Sequence, residues 1–207
     1  MEKGNNIYIK LVIFSISNNK LKIFLPNGRL PSGRLENNKP LDEIAREIFQ
    51  KKLNLLIKDS YMEQLYTISR QTGGKSEIAI VYYILLQSRR MPENSKKYWL
   101  SGGEISKEFE DYQLIKYAIQ RLRWKIEYTN VVYSLLPEEF TFSELQETYE
   151  AILGKVLDKR NFRKKILSLG ILKETGHIKK LGKARPAEMF VFKKRKLTFV
   201  KILQPSD

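Results

Sequence analysis

Residues 6–16, NIYIKLVIFSI, and 20–26, KLKIFLP, are dense in β-branched and aromatic side chains, and SNN at 17–19 supplies turn chemistry between them. This pattern predicts a β-hairpin. In residues 40–56, PLDEIAREIFQKKLNLL, apolar positions at Leu41, Ile44, Ala45, Ile48, Phe49 and Leu53 follow the helical period. Pro40 suits the first turn, and Asp42 and Glu43 suit the positive end of the helix. YMEQLYTIS (61–69) and EIAIVYYILLQS (77–88) predict two strands separated by RQTGGKS, the second continuous enough in apolar residues to be central in a sheet. YWLSGGEI (98–105) is a short strand or loop, and Leu114, Ile115, Ala118, Leu122 and Ile126 predict a long helix over 107–129. A mixed α/β domain over residues 1–129 follows.

From residue 130 the pattern changes. Thr141 and Glu144 form a capping box that opens FSELQETYEAIL, and Gly154 ends that helix. Asp158 caps a second helix, with Leu157 placed to staple on Phe162, and Gly170 closes it. ILKET and AEMFVFKK read as strands, separated by the basic loop GHIKKLGKARP. Helix, helix, strand, basic loop and strand make residues 130–207 a winged helix-turn-helix.

The chain carries a net charge of +15, and its location changes the picture. Residues 1–154 hold 22 Lys+Arg against 19 Asp+Glu, whereas residues 155–207 hold 16 against 4. The excess sits on the winged-helix side, as an electrostatic footprint for nucleic acid requires. With no cysteine and only His177, disulfides, thiolate zinc sites and multi-histidine metal sites are excluded, and no cofactor is expected. No apolar run reaches the roughly 18–20 residues of a membrane span, and MEKGNN lacks the regions of a signal peptide, so a cytoplasmic protein without membrane association is expected.

On the helix from 159 to 169, Phe162, Ile166 and Leu169 form one inward stripe and leave Lys159, Arg160, Asn161, Arg163 and Lys164 outward. The second helix of a helix-turn-helix enters the major groove with its N-terminal residues at base edges. Arg160, Arg163 and Asn161 have the bidentate chemistry that reads guanine or adenine. Lys159, Lys164 and Lys165 suit phosphates, and the wing residues Lys179, Lys180, Lys183 and Arg185 suit the flanking backbone or minor groove. The alternative reading of these residues is a solubilising helix face; charge asymmetry and the agreement of helix and loop weigh against it.

The run AIQRLRWKIEYTNVVYSLLPEEFTFSELQETYEAILGKVLDKRNFRKKILSLGIL, with TG and ARPAEMFVF after it, resembles the C-terminal winged helix of the Nudix-related transcriptional regulators, NrtR and its relatives. YMEQLYTIS, VYYILL and YWL are similar to the Nudix-like sensor half of that family, so the resemblance covers nearly the whole chain. It implies an α+β protein: an N-terminal Nudix-like α/β/α sandwich followed by a winged helix that binds double-stranded operator DNA, usually as a homodimer. It also implies an effector, ADP-ribose or a related NAD metabolite in some branches and a sugar in others.

The Nudix signature, G-x(5)-E-x(7)-R-E-U-x-E-E-x-G-U, holds magnesium through its helix glutamates. Laid without gaps on LPSGRLENNKPLDEIAREIFQKKLNLL it keeps Gly33 and Leu55, and Lys39, Glu47, Ile48, Lys51, Lys52 and Asn54 stand at its Glu, Arg, Glu, Glu, Glu and Gly. A one-residue shift restores the Arg46–Glu47 pair but leaves Gln50 and Lys51 at the paired glutamates. Neither register rebuilds a magnesium site, so no catalytic residues are assigned and no hydrolysis is expected; a divergent Nudix hydrolase acting on ADP-ribose or a similar compound is the alternative. Lys51 and Lys52 are either solvated or effector-binding lysines that attract a ligand phosphate.

Elsewhere, Glu104, Glu108, Glu110 and Asp111 read as acids at a helix N-terminus. TGGK (72–75) reads as a hairpin turn rather than a phosphate loop, and Trp99 and Trp124 as core anchors. His177 shows no partner in the sequence.

Overall fold

The computed structural model describes residues 6–35, 38–58, 60–72, 75–180 and 186–202. Two compact units emerge, one holding Met1–Ser15 and Lys22–Ala118, the other Ile16–Leu21 and Ile119–Asp207.

In the first unit, β1 (Asn6–Ser17) and β2 (Lys20–Phe24) are joined through Asn18 and Asn19. Their φ values of 52° and 55° are the left-handed pair that a two-residue hairpin of this twist requires, and asparagine tolerates them. β3 (Ser32–Arg34) pairs antiparallel with β1 and leads to α1 (Leu41–Leu53). β4 (Tyr61–Thr72) and β5 (Lys75–Leu85) pair antiparallel as far as Thr72 and Lys75, in agreement with a hairpin at TGGK, whose glycines lie outside the described residues. β6 (Trp99–Ser101) borders β2. The six-stranded sheet runs β4-β5-β1-β2-β6 with β3 on β1, and β1 and β5 are parallel. β5 is central, as its unbroken apolar run demands.

Alternation along β1 sends its side chains to two faces. Ile9, Leu11 and Ile13 pack with Ile44, Ala45, Ile48, Phe49 and Leu53 of α1, together with Trp99. On the other face Lys10 Nζ reaches Asp111 Oδ1 at 2.6 Å, just before α2 (Tyr112–Tyr128). Helices on both faces make the α/β/α sandwich.

Several expectations change in this half. α2 starts at Tyr112 rather than 107, and of the acids before it Glu104, Glu110 and Asp111 make ion pairs. Asp111 is buried on Lys10, and Glu104 binds Lys22 at 3.0 Å while capping at Ser101, which holds its pKa at about 2 through the bonds from Ser101 and Lys22. α2 also runs through the border between the two units, whereas the sequence pattern places that border after the helix. Trp99 is a core residue whose Nε1–H donates to Ser95 Oγ at 3.1 Å. Trp124 is 45% exposed and not a core anchor.

In the second unit, β7 (Phe140–Thr141), α3 (Phe142–Leu153), α4 (Lys159–Ser168), β8 (Leu172–Lys179) and β9 (Ala187–Phe192) form two helices on a three-stranded sheet of order β7-β9-β8. Thr141 Oγ1 accepts the Glu144 N–H at 3.2 Å, and Glu144 accepts the Thr141 N–H at 2.7 Å, closing the capping box. Gly154 ends α3 at φ 70°, a left-handed geometry that glycine adopts without strain. Phe142, Tyr149, Phe162 and Phe190 form the aromatic centre, with Tyr149 and Phe162 rings 5.1 Å apart. Past the wing, Asn130 clasps residues 196–198 through its amide, and Val200 N–H donates to Tyr128 O at 2.8 Å.

β7 has only two residues and leaves no periodic signal. β8 extends into the segment read as loop, because a bulge between Glu174 and Ile178 absorbs the extra residues and the ladder resumes at Ile178–Glu188. Gly176 at φ 80° and the bond from His177 N–H to Thr175 Oγ1 shape that bulge.

Candidate nucleic-acid interface and ligand cleft

α4 owes its orientation to its start and its stripe. Asp158 Oδ1 accepts the Asn161 N–H at 2.7 Å, and Phe162 and Ile166 anchor the buried side. Lys159, Arg160, Asn161 and Lys164 are then exposed together over the first turn and a half. Among the described residues, Lys159, Arg160 and Lys164 have no ion-pair partner, so their full charge faces outward.

Arg163 is placed differently. Its guanidinium lies over the rings of Phe142 at 4.8 Å and Phe190 at 5.7 Å, and it reaches Glu188 at 3.4 Å. It is half-buried and ties α4 to α3 and β9, so it differs from Arg160 in having internal work. Lys165 is likewise half-buried.

At the wing, Lys179 Nζ binds Glu144 Oε1 at 2.6 Å, linking β8 to the cap of α3. Burial pushes the Glu144 carboxyl up, and the bonds from Lys179 and Thr141 outweigh it, leaving its pKa below the ordinary value. Lys180 is exposed at the end of the described strand, while Lys183 and Arg185 lie outside the described residues. His177 has a partner the sequence did not reveal: Nδ1 sits 3.0 Å from Glu139 Oε2. Glu144 was legible as a cap, but its second role needed the strand extension of β8.

In the first unit, Ser32, Gly33, Arg34, Ile44, Glu47, Ile48, Lys51 and Lys52 line a cleft of about 280 Å³ between β3 and α1. Gly33 is required for its close walls: a Cβ there would stand 2.8 Å from Ile48 Cδ1. Lys39 Nζ binds Glu47 Oε1 at 2.8 Å, and Asn54 ends α1 in the left-handed region at φ 53°. In the ungapped register of the signature these three features fall at its first Gly, its Glu and Arg, and its final Gly. Gly33 makes the close approach, Lys39 and Glu47 pair across the Glu and Arg positions, and Asn54 supplies the left-handed turn at the final Gly position.

In that register Ile48, Lys51 and Lys52 occupy positions where the Nudix chemistry needs carboxylates. Among the described residues no group of three acidic or histidine side chains is arranged for a metal. Among the described residues Glu47 is the one carboxylate lining the cleft, and it pairs with Lys39. The described residues lining the cleft therefore do not fit a magnesium ion.

Comparison with known proteins identifies relatives of both halves of the chain. Residues 132–192 match the NrtR DNA-binding winged helix domain. The chain is 30% identical over 205 residues to the ADPR responsive transcriptional repressor NtrR of Acinetobacter baylyi, covering 89% of this chain and 80% of that protein. Among solved structures, Shewanella oneidensis NrtR complexed with a 27mer DNA superimposes with a TM-score of 0.76 at 22% identity, over 90% of this chain and 93% of that one. A MutT/nudix family protein from Enterococcus faecalis gives a TM-score of 0.64 at 16% identity, over 94% and 90% of the two chains. The structural likenesses establish the shared fold, and the likeness to the Acinetobacter repressor over most of both chains establishes the lineage: this chain belongs to the NrtR family of Nudix-related transcriptional regulators.

Proposed function

We propose that this protein is a DNA-binding transcriptional regulator whose Nudix-like unit senses a small effector and controls operator binding by the winged helix. The observation that carries the reading is α4: a capped, well-anchored helix whose exposed first turns present Lys159, Arg160, Asn161 and Lys164 without internal ion pairs. That is the placement a recognition helix needs, with the arginine and asparagine suited to base edges and the lysines to phosphates. Lys180, Lys183 and Arg185 of the wing would extend the contact along the backbone.

The effector is ADP-ribose or a related NAD metabolite, in line with the ADPR-responsive repressor to which the chain is 30% identical. Linkage then requires effector and operator to alter each other's affinity by the same factor. The protein acts as a homodimer in the cytoplasm. Trp124, Tyr128 and Phe199 support a self-association surface, being 45%, 42% and 75% exposed, with Tyr128 and Phe199 stacked at 6.2 Å. Among the described residues no helix is long and apolar enough to cross a membrane.

The test is fluorescence anisotropy of the full chain on labelled duplexes from upstream of its own gene, against random duplex, with ADP-ribose added last. Preference over competitor that ADP-ribose changes is the expected result; equal binding to every duplex would reduce the surface to an electrostatic patch. The second reading, a divergent Nudix hydrolase, is opposed by Ile48, Lys51 and Lys52 at the carboxylate positions. Magnesium-dependent turnover of ADP-ribose would revive it.

A further inference from the structure

The cleft between β3 and α1 carries a charge opposite to that of a magnesium site. Among the described residues, Arg34, Lys51 and Lys52 line it with one carboxylate, Glu47, which pairs with Lys39 at 2.8 Å. Lys51 and Lys52 sit exposed in the last turn of α1 and have no ion-pair partner among the described residues. Arg34 is held at the rim by donating to Asn6 Oδ1 at 2.7 Å, which leaves other donors of its guanidinium for a ligand. With Ile44 and Ile48 also in its lining, the cleft of about 280 Å³ has the volume for a phosphate-sized group.

We infer that this cleft binds the diphosphate of its ligand directly through Lys51, Lys52 and Arg34, with the two ammonium groups standing where a Nudix enzyme places magnesium, so that binding needs no metal. A carboxylate site captures a diphosphate only through bridging cations; a lysine site supplies the positive charge itself. The same replacement removes the means of activating water, so the ligand is held and not cleaved. The inference rests on the reading of this unit as a sensor, and it specifies which part of the effector the sensor grips.

The test is isothermal titration calorimetry of the full chain with inorganic pyrophosphate and, separately, with ADP-ribose, each in EDTA and in magnesium chloride. Pyrophosphate binding in EDTA is expected, weakened about tenfold by Lys51→Ala or Lys52→Ala, in keeping with loss of one charge-assisted bond. Lys51→Arg should retain binding. Lys96→Ala and Lys97→Ala, on exposed lysines elsewhere in the same unit, should leave it unchanged, which separates a site from general attraction of anions. Pyrophosphate binding that requires magnesium, that ignores Lys51→Ala and Lys52→Ala, or that is absent from both buffers would overturn the inference. Pyrophosphate binding through the lysines without ADP-ribose binding keeps the inference and removes ADP-ribose as effector. Duplex anisotropy on the same variants judges the DNA reading on its own, since both lysines lie in the other unit from α4.

Discussion

Lys39 and Glu47 face each other at 2.8 Å with the signs reversed from the Glu and Arg that the Nudix signature places at those positions. Coulomb attraction depends on the product of the charges, so exchanging both preserves the link while exchanging one destroys it. Lys39→Glu or Glu47→Arg alone should lower unfolding stability by up to about 1 kcal/mol, the range of a solvent-accessible pair. The double exchange should recover most of it. Urea denaturation of the three variants gives the coupling energy, and additive losses in the double variant would show that the pair does not fasten the segment before α1 to the helix.

Arg160 and Lys164 share the exposed face of α4, yet their chemistries predict different losses. Arg160→Ala should cost about 1–3 kcal/mol on the preferred duplex and flatten discrimination at one base position. Lys164→Ala should weaken all duplexes alike and lower the salt slope by about 1. Anisotropy titrations over a salt series separate the two, and equal effects of both changes on every sequence would remove the assignment of Arg160 to a base edge.

Arg163 has a different test, because its guanidinium is stacked on Phe142 and Phe190 and reaches Glu188. Arg163→Ala should lower stability by about 1 kcal/mol through lost cation–π contact and stem packing. Arg160→Ala should leave stability within about 0.5 kcal/mol, as an exposed position does. Thermal unfolding of both variants checks this, and equal midpoints would mean the stacking contributes nothing.

How far the sequence reveals this arrangement depends on where each signal resides. β1, β2, β4 and β5 were legible because their apolar runs are long, and α3 and α4 because Thr141, Glu144, Gly154, Asp158 and Gly170 are local chemical statements of start and stop, whereas the three-residue β3 leaves no signal. β7 was not, since two residues carry no period. The later half of β8 was not, because a bulge interrupts the alternation that marks a strand. At the sites, outward placement of Lys159, Arg160 and Lys164 followed from the Phe162–Ile166 stripe, whereas the internal role of Arg163 depends on β9, which is distant in sequence. The sequence alone leaves two registers of the Nudix signature open; the Gly33 approach to Ile48, the Lys39–Glu47 pair and the left-handed Asn54, none of them visible in the sequence, all fall on positions of the ungapped one.

Glu144 joins the cap of α3 to the wing strand, and its protonation tests both at once. Its pKa in the folded chain lies below the ordinary 4.5: burial raises it, and the bonds from Lys179 and Thr141 more than offset that. The sign follows from linkage. A carboxylate with a depressed folded pKa contributes stability above its unfolded pKa and loses it as pH falls through the folded value. Stability of the second unit should therefore fall in acid below about pH 4.5, with Glu144 among the contributors. Glu144→Gln keeps a capping-box side chain but cannot titrate, so the gap between the wild-type chain and this variant should narrow as pH falls. Lys179→Ala should raise the Glu144 pKa and move the loss to higher pH, while Thr141→Ala should cost about 1 kcal/mol as a lost N-cap. Urea unfolding of each variant from neutral pH into acid measures the gaps, and a gap between wild type and Glu144→Gln that stays constant with pH would show that the carboxylate charge does not hold the cap and wing together.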